Sequence, residues 1–185
     1  MTHSIDWSVA TPVSREQLTS LAARFADDFA QHHHVFATAE SCTGGLISAT
    51  ITDISGSSQW FDRAFVTYTN EAKMQMLQVS PATLQSYGAV SIPTACEMVR
   101  GALNNSNATI AVAVTGIAGP TGGSAQKPVG TVCIAVQKRG EEHAYACCHH
   151  FSGNREQVRF ATVYVALADL LTVSSGQEPH GYQRV

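Results

Sequence analysis

Charge is scarce in this 185-residue chain: Asp, Glu, Lys and Arg together make up 14% of it, against roughly 25% in an average soluble protein. A surface with so little obligatory contact with water points to a homo-oligomer, a dimer or higher. Basic clusters are also missing. The formal net charge is −3 and no Lys/Arg run exceeds Lys138-Arg139, so nothing steers a phosphate backbone to the chain and nucleic acid is excluded as a partner. No apolar run approaches the roughly 18 residues that a membrane-spanning helix needs, which excludes a membrane partner of that kind. Cys42, Cys96, Cys133, Cys147 and Cys148 form no C-x-x-C pair, and no signal peptide precedes them. They read as reduced thiols of a cytoplasmic protein. His32-His33-His34 and His149-His150 are runs of adjacent residues whose side chains point apart, so they do not converge on one metal ion. Neither a metal nor a cofactor is expected.

What is present fits one domain over residues 14–171, between an N-terminal arm (1–13) and a polar, frayed C-terminal tail (172–185). Leu18, Leu21, Ala22, Phe25 and Phe29 recur at helical spacing behind Ser14, a candidate N-cap with Glu16 close by. Val35 to Ala39 forms a short apolar strand that runs into Gly44-Gly45 and a helix from Leu46. Phe65 to Thr69 alternates as a strand and is followed by a short helix that Asn70 caps. Ser91 and Pro93 open a helix through about Leu103. Thr109 to Thr115 is the continuous apolar run of a strand covered on both faces. Val129–Val136 and Glu142–Phe151 pair as a hairpin around Lys138-Arg139-Gly140, and a last helix starts near Asn154. Helices alternating with buried strands predict an α/β fold, a three-layer α/β/α sandwich around a mixed, mostly parallel sheet of about five strands.

Ligands of such sheets bind beyond the carboxyl ends of the strands, where three loops qualify. In Glu40-Ser41-Cys42-Thr43-Gly44-Gly45 the glycines permit close backbone approach, and the next helix favours an anion or a developing oxyanion. The same residues also suit a tight turn with a Ser or Thr cap. Cys42 is formally a second nucleophile, but no His stands near it in a recognisable motif, and a packed small residue explains it as well. Tyr68 and Lys73 flank a strand-to-helix junction. A desolvated Lys can take the proton of a serine hydroxyl, with a Tyr phenol as relay; a half-buried Tyr and a solvated Lys are the plainer alternative. Thr115-Gly116-Ile-Ala-Gly-Pro-Thr-Gly-Gly123 can cradle a phosphate or ribose, and Arg155 at the start of the last helix can pair with a phosphate. Walker A, G-x-G-x-x-G, G-x-S-x-G and zinc-deaminase signatures are all absent.

Seven segments in register resemble the CinA C-terminal domain family: Ala39–Gly45, Ser55–Phe61, Val66–Lys73, Gly88–Ser91, Thr115–Pro120, Lys127–Thr131 and Phe151–Arg155. The resemblance spans residues 14 to 171. It implies the deamidation of nicotinamide mononucleotide without metal, the activity of the family's PncC-type enzymes, so that a small-molecule nucleotide is the expected partner. It carries the nucleophile onto Ser41 and the family's Tyr and Lys onto Tyr68 and Lys73. Thr43, Gly44, Gly45, Thr115, Gly116 and Arg155 are then the expected substrate contacts. The arm before Ser14 is too short for the N-terminal domain of larger members, so the stand-alone form is expected. Thr69 replaces the family's Ser and keeps its hydroxyl. A catalytically silent, nucleotide-binding copy and an amidase for another small carboxamide are the competing readings.

Overall fold

The computed structural model of the protein describes residues 12–185; residues 1–11 of the expected arm lie outside the described residues. Helix α1 (Arg15–His32) begins at Ser14, whose hydroxyl accepts the Gln17 N–H while the Gln17 side chain accepts the Ser14 N–H. The capping box thus closes on Gln17 and not Glu16, because the partner must stand three residues beyond the cap. Leu18, Leu21, Ala22, Phe25 and Phe29 are all buried, as the spacing predicts.

Strands β1 (Phe36–Glu40), β2 (Phe61–Val66), β3 (Ile110–Gly116), β4 (Thr131–Lys138), β5 (Tyr145–His150) and β6 (Gln183–Arg184) form one sheet in the order β2-β1-β3-β4-β5-β6. The sheet is mixed, with six strands in place of five. Its β1–β2 and β1–β3 pairings are parallel and the other three antiparallel, so "mostly parallel" holds for strand direction but not for pairing. Helix α2 (Leu46–Thr52) joins α1 and α6 (Arg155–Ser174) on one face, while α3 (Asn70–Leu77), α4 (Pro81–Tyr87) and α5 (Ile92–Asn104) lie on the other side. The apolar runs of the inner strands hide an alternation that sorts these layers. Phe36, Ile110, Val112, Val114, Val132, Ile134 and Val136 pack under α1 and α6. Ala37, Ala39, Ala111, Ala113, Cys133 and Ala135 face α5. Small side chains on that face let α5 lie close to the sheet.

The same closeness recurs between helices. A Cβ on Gly101 of α5 would lie 2.1 Å from the Leu77 carbonyl oxygen at the end of α3. Gly101→Ala is therefore expected near the upper end of overpacking costs, about 3 kcal/mol. For a chain of this size that is a fall in melting temperature of roughly 6–12 °C, read by calorimetry.

Four expectations change. The strand expected at Phe65–Thr69 starts and ends earlier, at Phe61–Val66, and the cap of α3 is Thr69, whose hydroxyl accepts the Ala72 N–H at 3.1 Å. The tail does not fray: α6 runs on to Ser174, β6 pairs with β5, and Val185 exchanges two main-chain hydrogen bonds with Ala144. Its anchor is Tyr182, whose phenol donates to the buried Asp169 and accepts from His149 Nε2 at 3.0 Å. Burial pushes Asp169 up to about 7 and His149 down to about 4. Cys133 and Cys148, directly opposite across β4 and β5 with Cα atoms 4.1 Å apart, are joined as a disulfide, against the expectation of five reduced thiols. Cross-strand register decides that meeting, and it cannot be read from cysteine spacing.

Candidate active site

Chain direction around β1 creates the site. The chain leaves β1 through α2 to β2 on one side and returns through α3, α4 and α5 to β3 on the other, so the strand order reverses beside β1. A crevice forms at such a reversal. Main-chain bonds hold its walls together: Ser41 N–H donates to Val114 O at 3.0 Å, and Thr67 N–H donates to Glu40 O at 2.8 Å. Residue 41, the first after β1, is thereby tied to β3, while the end of β2 is tied back to β1.

Lys73 reaches this point from the fourth residue of α3. Its Nζ lies 3.0 Å from Ser41 Oγ and 2.8 Å from the Thr67 carbonyl oxygen. The lysine is 1% exposed and the serine 8%. Burial lowers the Lys73 pKa from its ordinary value, and no carboxylate forms an ion pair with it among the described residues. The plain reading of a solvated helix-start lysine therefore fails. Lys73 Nζ donates to both oxygens; an amine that gives up its proton there can turn its lone pair to the Ser41 hydroxyl, an arrangement suited to nucleophilic acyl transfer.

Tyr68 does not join this pair. The residue is 58% exposed and its hydroxyl accepts from Arg155 Nη2 at 2.8 Å. The same guanidinium donates through Nη1 to Gly119 O at 2.8 Å. Arg155 and Glu156 line a hollow of about 520 Å³ together with Ala118, Pro120, Val129, Gly153 and Asn154. Cys42 is 6% exposed and burial pushes its thiol up to about 12, which leaves it protonated and packed.

The remaining expected contacts divide. Gly44 has a φ of +59° and open space where a Cβ would stand. Gly45 has a φ of +92°, but its N–H is taken by a side chain and does not face a ligand. Thr43 is fully buried and its Oγ1 has no hydrogen-bond partner among the described residues. The Thr115 hydroxyl donates to Ala89 O at 2.8 Å, a structural bond. A Cβ on Gly116 would lie 2.6 Å from Val132 Cγ2, so packing against β4 accounts for that glycine.

Sequence reasoning missed Glu40. Its side chain is fully buried and gathers four donors: Gly45 N–H and Ile47 N–H at 3.0 Å to Oε2, Ser48 N–H at 2.9 Å and the Thr38 hydroxyl at 3.2 Å to Oε1. An acidic residue placed immediately before a Gly-rich turn and a helix start was the available signal, since helix starts offer unpaired N–H groups. Arg159 was missed as well; its Nη2 donates to Thr43 O at 2.7 Å from α6.

The family model of the CinA C-terminal domain matches residues 18–174. The nicotinamide-nucleotide amidohydrolase PncC of Shigella flexneri is 54% identical over 134 residues, 72% of this chain and 80% of that protein. PncC of Enterobacter agglomerans is 52% identical over 133 residues, with the same two coverages. Among solved structures, the competence/damage inducible protein CihA of Agrobacterium tumefaciens superposes with a TM-score of 0.79 at 49% identity, covering 84% of this chain and 94% of that one. A CinA superfamily protein of Klebsiella pneumoniae reaches 0.82 at 34% identity, covering 86% and 98%. The chain belongs to the CinA C-terminal domain family. Within that family it is an amidohydrolase.

Proposed function

We propose that the protein hydrolyses nicotinamide mononucleotide to nicotinate mononucleotide and ammonia, with Ser41 as nucleophile and Lys73 as its base. The observation that carries this reading is the 3.0 Å approach of a buried lysine amine to the Ser41 hydroxyl. Lys73 takes the hydroxyl proton as Ser41 Oγ bonds to the carboxamide carbon. The amine then returns that proton to the departing nitrogen, the C–N bond breaks, and ammonia leaves an acyl-enzyme ester. Water, deprotonated by the same amine, cleaves the ester to the carboxylate and restores Ser41. The named activity of the PncC relatives supports the substrate.

Arg155 and the hollow beside it suit the nucleotide's phosphate and ribose, since a guanidinium pairs well with phosphate oxygens. Gly44 gives the substrate room. Tyr68 serves through Arg155 and not as a proton relay, because their hydrogen bond orients the guanidinium. Tyr68→Phe is accordingly expected to raise KM about three- to tenfold while kcat changes less than about twofold. A fall in kcat alone would return Tyr68 to the proton path.

The test of function is ammonia release from nicotinamide mononucleotide, compared with free nicotinamide and the dinucleotide. Turnover confined to the mononucleotide supports the proposal. Binding without ammonia would make the protein a silent nucleotide binder, and turnover of another carboxamide would move the substrate.

A further inference from the structure

We propose that Glu40 is a positioning residue that shapes the oxyanion-binding turn, resting on the hydrolytic reading of Ser41. The turn between β1 and α2 holds several main-chain N–H groups, and the structure divides them into two sets. Gly45, Ile47 and Ser48 direct theirs to the Glu40 side chain. Gly44 N–H donates to Ser41 O at 3.1 Å, and Leu46 N–H to Thr43 O at 3.2 Å. Cys42 and Thr43, the two residues directly after the nucleophile, have N–H groups that bond to no other residue among the described ones. Thr43 Oγ1, fully buried, has no such partner either.

The helix start is therefore occupied by the protein's own carboxylate and is closed to a substrate anion. The free donors belong to the two residues that follow Ser41 in the turn, and the N–H of Cys42, the less buried of the two, is the one available to the carbonyl oxygen that becomes negative as the C–O bond to serine forms. Donors fixed beforehand at that place lower the barrier without reorganising. Glu40 fixes them from inside the fold, through bonds that set where Gly45 and the first turn of α2 lie. Arg159 holds the same turn from α6 by its bond to Thr43 O. A glutamine at position 40 keeps the volume but offers one acceptor oxygen and turns an NH2 group toward the remaining donors. The turn would have to open.

The experiment uses the whole chain carrying Glu40→Gln, with its folding checked by circular dichroism. Ammonia release from nicotinamide mononucleotide is measured beside the rate at which a fluorophosphonate labels Ser41, a reaction whose phosphoryl oxygen occupies the same donors. The variant is expected to lose about 10²-fold in kcat, the scale of one lost oxyanion donor. KM is expected to stay within about threefold, as for an interaction made only in the transition state. Labelling should fall in the same proportion as kcat. A folded variant with wild-type kcat and labelling, or one that changes KM alone, overturns the proposal. If Glu40→Gln does not fold, Arg159→Met decides in its place: an approximately tenfold loss in kcat and labelling supports the proposal, and unchanged rates overturn it. Wild-type protein that is labelled at Ser41 but releases no ammonia would refute the nucleotide substrate, while the labelling comparison still judges Glu40. Protein that is neither labelled nor active refutes both.

Discussion

Ser41→Ala is expected to lower kcat for nicotinamide mononucleotide by about 10⁴-fold or more, the loss seen when a covalent nucleophile is removed from an intact site. The acyl-enzyme cannot form, and the remaining donors can act only on a direct attack by water. The fold should tolerate the change well. Ser41 is held by its main-chain N–H on Val114 O, which alanine retains, and its hydroxyl bonds only to Lys73 among the described residues. Lys73 keeps the Thr67 carbonyl as a partner. Nucleotide affinity, followed by calorimetric titration, should therefore change less than about threefold while ammonia release disappears. A folded variant that retains more than about 1% of turnover would remove Ser41 from the covalent role.

Replacing the base should be nearly as damaging. Lys73→Arg keeps a cation but cannot give up its proton near neutral pH, and Lys73→Met keeps most of the volume without any amine. Both are expected to lose about 10³-fold or more in kcat, somewhat less than the serine variant because the nucleophile remains. The sign of the pH dependence follows from burial. The reactive form is the neutral amine, so kcat/KM should rise with pH through the pKa of Lys73, in a window that burial moves below the usual 10.5. Stability carries the same signature. A buried lysine of lowered pKa binds fewer protons folded than unfolded, so the native state gains stability as pH rises across that window and loses it as pH falls. Lys73→Met should lack this part of the slope. Retained turnover in Lys73→Arg, or a kcat/KM that falls across the same range, would sink the base assignment.

Several elements were legible because their signals are local. The apolar spacing of α1 and its Ser14 cap, Pro93 at the start of α5, and Asn154 before α6 depend on residues within one or two turns. Helix α4 is faint in the sequence although Ser80 and Pro81 mark its start, because it buries no residue and carries little apolar periodicity. Strand β2 slipped by a few residues for a related reason: only Phe65 within it is buried, as befits the edge of a sheet, so the alternation that marks a half-buried strand is faint. The polar composition of the tail predicts a loose end, yet one phenol over a buried aspartate and a few main-chain bonds secure it.

The site divides in the same way. Ser41, in its Gly-rich turn, and Lys73, near a helix start, can both be named from the chain alone. Whether they meet depends on β2 lying parallel to β1, with Glu40 beside Val66, and on α3 turning its fourth residue inward. Tyr68, only five residues before Lys73, faces out to Arg155 instead. The chain by itself determined the α/β class, the capped helices, the buried strands and the chemical types present in three loops, because those follow from side-chain periodicity and local backbone preferences. Only the tertiary structure decided that a lysine amine sits 3.0 Å from the serine hydroxyl, that Glu40 fills the start of α2, and that Tyr68 attends Arg155. Each of those outcomes rests on strand order, register and burial, which bring together residues far apart in the chain.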